Sequence, residues 1–135
     1  MPGDQILIDS DAFIGLVFRQ DAHHERVRNL WRQLQIEQVQ FITSNLVITE
    51  TATMLSRRIS LSIAQQFLQS AQDIQTIIVD DHIHQLTVDL FQKQQREHTS
   101  FVDLSNVVIL QELKIKRIFS FDKVYTKDFG LTLVS

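Results

Sequence analysis

Four acidic residues spread along a chain of 135 residues, Asp9, Glu50, Asp103 and Asp122, have the side-chain type and the placement to do chemistry together. Carboxylates brought to one place repel one another unless a cation lies between them. The chain has no cysteine, so thiolate zinc sites, cysteine nucleophiles and disulfides are excluded. Hard oxygen donors without sulfur select Mg²⁺ or Mn²⁺ over zinc. Two such ions about 3.5–4 Å apart can hydrolyse a phosphodiester, one activating water and one stabilising the leaving oxygen, with no protein nucleophile. No G-x-S-x-G, phosphate-binding glycine loop or H-E-x-x-H motif is present.

Each acid also has an ordinary structural explanation. Ser100-x-x-Asp103 fits a capping box, in which the acid bonds the start of its own helix. Asp122 suits a turn. Glu50 falls inside the apolar arc formed by Leu46, Val47, Ile48, Ala52, Met54 and Leu55 on a helix running from about Leu46 to Arg57. A carboxylate facing a core must be paired or bound to a cation, so the choice there is a salt bridge with Arg57 or Arg58, or a metal.

The elements that must position these residues follow from periodicity. Ile6-Leu7-Ile8, Val39 to Ile42, Ile77-Ile78-Val79, Ile118-Phe119 and Leu131 to Val134 are strand signals, the last an edge strand. Between them run helical patterns. One starts at Ser10-Asp11, and one after Asp21 carries Val27, Leu30, Trp31 and Leu34 on a single stripe. Others are capped by Ser44 or Asn45, open at Ser60, follow Ile83 to Phe91, and run from Phe101 to about Leu113. The polar run Lys93 to Ser100 interrupts the pattern. Strands separated by helices need crossovers, which favour parallel pairing with helices on both faces. The expected fold is α/β, a three-layer α/β/α sandwich with a central, mainly parallel sheet, forming a single domain over residues 1–135. In such a sheet ligands sit at the carboxyl ends of the strands, where Asp9 follows the first strand and Asp122 follows Ile118 to Phe121.

With those residues in place, the chain resembles the PIN-domain family, particularly VapC-type toxins of bacterial toxin–antitoxin pairs. IDSDAFIGL at Ile8 to Leu16 resembles the family's opening strand and first acid. TSNLVITET at Thr43 to Thr51 resembles its second motif, and SFVDLSNVVILQELKIKRIFSFD at Ser100 to Asp122 its closing helix, strand and fourth acid. DAHHERVRNLW is similar to the family's second helix. The resemblance implies a PIN-like nuclease domain: an endoribonuclease dependent on Mg²⁺ or Mn²⁺, a homodimer, and a small antitoxin that blocks the site. It implies that Asp9, Glu50, Asp103 and Asp122 are both metal ligands and catalytic residues, which moves Asp103 from cap to ligand. Thr43 and Ser44 match a small hydroxyl pair that orients a site water or metal, with Ser105 a further candidate. Asp11, Asn45, Asn106 and the ending KVYTKDF, including Asp128, depart from the family's pattern.

The bulk properties agree with a cytoplasmic protein. Hydrophobic residues make up 44% and charged residues 21% of the chain, and neither a leader-like start nor an apolar run of bilayer length is visible. The formal net charge of −3 argues against a nucleic-acid partner until the four acids are assigned to a cation; the remainder is then slightly positive. Lys114, Lys116, Arg117, Lys123 and Lys127 cluster in one stretch, and with Arg57 and Arg58 they are candidates for phosphate contacts, Arg57 and Lys123 with Thr43 and Ser44 forming the expected substrate-binding set. His82-x-His84 share a face only on a strand, and the periodicity there is helical; the adjacent His23 and His24 are expected to face solvent. The competing functions are a stand-alone PIN nuclease in RNA processing and a non-catalytic RNA- or protein-binding module of the same fold.

Overall fold

The computed structural model of the protein describes residues 4–135. The expected domain span thus includes three residues outside the described ones. The elements in chain order are β1 (Gln5–Ile8), α1 (Ser10–Val17), α2 (His24–Ile36), β2 (Gln40–Ser44), α3 (Asn45–Arg58), α4 (Leu61–Ala71), β3 (Gln75–Ile77), α5 (Asp81–Gln92), α6 (Phe101–Leu113), β4 (Arg117–Phe119), α7 (Val124–Phe129) and β5 (Thr132–Val134). The strands form one sheet of order β3-β2-β1-β4-β5, and all its pairings are parallel.

Parallel pairing fixes the layering, because every return to the sheet must cross one of its faces. Side chains alternate along β1. Ile6 and Ile8 join Phe119 and the helices α1 to α4 in one core, while Leu7 joins Ile42, Ile118 and residues of α6 and α7 in the other. Ile6, Leu7 and Ile8 are all fully buried, as a central strand covered on both faces requires. On the first face Phe13 packs edge-on against Phe67, and Trp31 lies against Phe41 and Phe119. Gly15 allows α1 and α2 to approach closely: a Cβ there would lie 2.8 Å from Val27 Cγ2.

Helix starts match their caps. Asp9, Ser44, Ser60, Asp80 and Ser100 each accept a backbone N–H at the head of α1, α3, α4, α5 and α6. Two expectations need correction. The third strand is Gln75–Ile77 rather than 77–79, with Thr76 pairing Thr43 and Ile78 left exposed. The strand before Asp122 ends at Phe119, and α7 follows where no helix is expected from the sequence. Among the described residues no helix is long and apolar enough to cross a membrane.

The strand order places β1 at the topological switch: β2 and β3 extend to one side of it, β4 and β5 to the other. The crevice such a reversal opens lies at the carboxyl ends of β1 and β4.

Candidate active site

Asp9 occupies that crevice as the residue after β1, and it is 3% exposed. Four donors converge on its carboxylate. Oδ1 accepts from the Ser10 N–H at 2.8 Å and from Asn106 Nδ2 at 3.2 Å. Oδ2 accepts from Ser120 Oγ at 2.9 Å and from the Tyr125 hydroxyl at 3.0 Å. These donors come from α1, α6, the end of β4 and α7, so the carboxylate ties together both sides of the switch.

Asp103 shares the Tyr125 hydroxyl with this centre, while Asp122 and Glu50 are linked to it through Ser120 and Ser10. Asp103 closes the capping box of α6, accepting the Ser100 N–H at 3.0 Å with Oδ2; its Oδ1 lies 3.3 Å from the Tyr125 hydroxyl. It is therefore a cap whose second oxygen faces the site. Asp122 lies three residues beyond β4, where Oδ1 accepts the Val124 N–H at 3.0 Å at the start of α7. Its own N–H donates to Ser120 Oγ at 3.1 Å. Glu50 does not face the core. It is half-buried, and Ser10 Oγ donates to its Oε1 at 2.7 Å. Arg57 and Arg58 are exposed and form no ion pair with it. Because α3 starts at the rim, its first turns lie beside the site, and the apolar arc ends where Glu50 begins.

Asp11 belongs to the same group. Its Oδ2 accepts the Phe121 N–H at 2.8 Å and lies 3.3 Å from Ser120 Oγ, while its Oδ1 is buried without a partner. Across the Asp11–Phe121 contact, the His23 ring stacks flat on Phe121 with centroids 3.9 Å apart.

The electrostatics follow from burial and mutual repulsion. The Asp9 carboxyl is pushed up to about 7, first by burial and then by Asp11 and Asp103, against the lowering effect of the Ser10 and Ser120 hydrogen bonds. Asp11 is raised mainly by burial, with Asp122 adding to it. Asp103 is raised by burial and by Asp122. Tyr125 is held in its neutral form by burial and by Asp9 and Asp103. Among the described residues the ion pairs are His82–Glu112 and Arg96–Asp128; none reaches the acids of the crevice.

The resemblance to PIN domains implies a divalent cation, and the donor set fits one in kind. It consists of carboxylate oxygens that repel each other, none of them in an ion pair, with one buried carboxylate oxygen, Asp11 Oδ1, left unpartnered. The fit is in chemistry rather than in finished geometry: among the described residues no three acids stand close enough to form a ready-made cage. The hydroxyls of Ser120 and Tyr125 lie between them.

The expected substrate contacts fare differently. Thr43 and Ser44 are fully buried. Thr43 Oγ1 donates to the Ile8 carbonyl at 3.1 Å, and Ser44 Oγ accepts the Val47 N–H at 3.1 Å. They fix β1 and α3 and are closed to a polymer. Ser105 is likewise committed, to the Val102 carbonyl at 2.7 Å. Arg57 lies seven residues beyond Glu50 on α3, about 10 Å farther from the rim at 1.5 Å per residue. Lys123 is exposed directly beside Asp122. The basic stretch is divided: Lys114, Lys116 and Arg117 line a cleft with Asp4 and Gln5 at the opposite, amino-terminal edge of the sheet, while Lys127 stays with α7. His24 is also not free, its Nδ1 lying 2.7 Å from the Gly15 carbonyl.

The PIN-domain family model matches residues 6–127. The chain belongs to the PIN-domain family. The same fold is found in the crystal structure of VapC20 of Mycobacterium tuberculosis, a sarcin–ricin loop cleaving toxin. That structure superposes with a TM-score of 0.84 at 21% identity, over 94% of this chain and 96% of the other. No curated protein matches the sequence. The family assignment and the five-stranded parallel sheet bear out the resemblance read from the three motifs.

Proposed function

We propose that the protein is a Mg²⁺- or Mn²⁺-dependent endoribonuclease that hydrolyses RNA phosphodiester bonds, and that it is the toxin of a type II toxin–antitoxin pair. The observation that carries this proposal is the buried carboxylate of Asp9 at the β1–β4 switch, raised by the neighbouring acids Asp11 and Asp103, in a chain of the PIN-domain family. Likeness in fold to a toxin described as cleaving the sarcin–ricin loop supports RNA as the substrate.

In this account Asp9, Glu50, Asp103 and Asp122 are the ligands and catalytic residues. A bound divalent ion supplies an activated water and offsets the charge that develops on the leaving oxygen. The chain's own residues do the positioning. Ser120, Asn106 and Tyr125 hold the Asp9 carboxylate in one orientation, and the Ser10 hydroxyl orients Glu50. The capping box leaves Asp103 one oxygen directed at the site. Lys123 is placed to meet substrate phosphate from beside Asp122. The remaining expectations extend the proposal: one nuclease domain over residues 1–135, a homodimer, a cytoplasmic location, and a small antitoxin that covers the crevice.

The test is cleavage of single-stranded and structured RNA by purified protein with Mg²⁺, with Mn²⁺ and with chelator. Cleavage that requires the divalent ion is expected. Divalent binding without cleavage of any RNA would contradict the enzyme, and no divalent binding by calorimetry would favour a non-catalytic module. A small open reading frame directly upstream, encoding a DNA-binding protein, separates the toxin from a stand-alone processing nuclease.

A further inference from the structure

The connection between α5 and α6 borders an open cleft of about 520 Å³ lined by Lys93, Gln94, Gln95, Arg96, Asp128 and Phe129. Two features there are unexplained by packing. Arg96 grips Asp128 through two hydrogen bonds, Nε to Oδ2 at 2.6 Å and Nη2 to Oδ1 at 2.8 Å. Both carboxylate oxygens are thereby used, while the Nη1 edge of the guanidinium keeps its donors. Lys93 brings a further positive charge, and Glu97, the acid of this connection, does not line the cleft.

The location gives these donors a use. The connection runs into Ser100, the cap of α6, three residues before Asp103, and Arg96 lies within the electrostatic reach of Asp122. A strand of nucleic acid crossing an acidic rim is repelled by it unless its flanking phosphates are neutralised nearby. A guanidinium already fixed in a bidentate pair loses less side-chain entropy when it binds a phosphate than a free one does.

We propose that Lys93 and Arg96 form a phosphodiester subsite for the RNA strand beside the acidic crevice, with Asp128 as the positioning residue for Arg96. The subsite rests on the ribonuclease proposal above. Arg96 Nη1 donates to a non-bridging phosphate oxygen, and Lys93 adds a mobile counter-charge.

Binding of a fluorescein-labelled single-stranded RNA to the full chain, followed by anisotropy across a salt series with Ca²⁺ replacing Mg²⁺, tests the subsite. Arg96→Gln is expected to weaken binding about 5-fold near 0.1 M salt and to reduce the slope of log K against log salt by about 0.7. Lys93→Gln is expected to lower the slope similarly. Asp128→Asn keeps the arginine charge but loosens its clamp, so affinity falls about 2-fold with the slope unchanged. A merely structural Arg96–Asp128 bridge would lower the melting temperature and leave the slope of every variant at the wild-type value, which overturns the subsite. Wild-type protein that binds RNA while all slopes coincide overturns this proposal alone; wild-type protein that binds no RNA overturns it together with the nuclease.

Discussion

Tyr125 on α7 places its hydroxyl 3.0 Å from Asp9 Oδ2, across 116 residues of sequence. The same hydroxyl lies 3.3 Å from Asp103 Oδ1 and accepts from Asn106 Nδ2 at 3.1 Å. One O–H proton stands between two carboxylates that repel each other, so it serves one at a time.

Replacing Tyr125 with phenylalanine keeps the ring and removes that proton. The buried carboxylates are then one donor short, a loss of about 1–3 kcal/mol. Urea unfolding of the metal-free protein should show that loss, and saturating Mn²⁺ should narrow the gap to wild type, since a bound cation offsets the same repulsion. Equal stability of the two metal-free proteins would remove Tyr125 from the support of the site.

Stability of the metal-free protein should depend on pH in an unusual direction. Asp9 is raised in the folded state from 3.8 to about 7, and Asp11 and Asp103 are raised as well. Between those values the folded chain holds protons that the unfolded chain has released, so stability falls as pH rises. The melting temperature is expected to drop by about 5 °C or more from pH 5 to pH 7.5 in chelator, and far less with Mn²⁺ present. A flat or rising profile in chelator contradicts the crowding of these acids.

Gly15 sets the spacing of α1, which carries the crevice residues at its head, against α2. Alanine is the better helix former by about 1 kcal/mol, yet its Cβ would stand 2.8 Å from Val27 Cγ2. Overpacking should dominate, with Gly15→Ala costing about 1–3 kcal/mol in denaturant unfolding. Adding Val27→Ala should recover part of the Gly15→Ala loss, measured against Val27→Ala alone. A stabilised Gly15→Ala protein would mean that α2 moves aside freely.

Much of the fold was legible because its signals are local. The apolar triplet Ile6-Leu7-Ile8, the caps Ser44, Ser60 and Ser100, and the stripe of Val27 to Leu34 each act over a few residues, and each element lies where they point. β3 is displaced from its apolar triplet because pairing with Thr43 and Ser44, rather than hydrophobicity, decides which residues extend. Asp9 and Asp122 were visible as residues following strands. Glu50 was visible as an anomaly, but its partner is Ser10 rather than an arginine, and that contact spans 40 residues. Ser120 and Tyr125 could not be found from spacing, since their contacts with Asp9 span more than 100 residues. Faint signals existed for two of the Asp9 partners: Ser120 interrupts an apolar strand run, and Asn106 is an amide inside the buried run Leu104 to Leu110.

The most direct measurement is RNA cleavage by wild type and by Asp9→Asn, purified identically and assayed with Mn²⁺. Asparagine preserves the shape at the end of β1 while removing the charge to which four donors point. The account predicts divalent-dependent cleavage by wild type and a loss of at least about 100-fold in the variant, roughly 2.7 kcal/mol of transition-state stabilisation. Equal cleavage by the two proteins, with contaminating nuclease excluded, would contradict the assignment of the β1–β4 crevice as the active site.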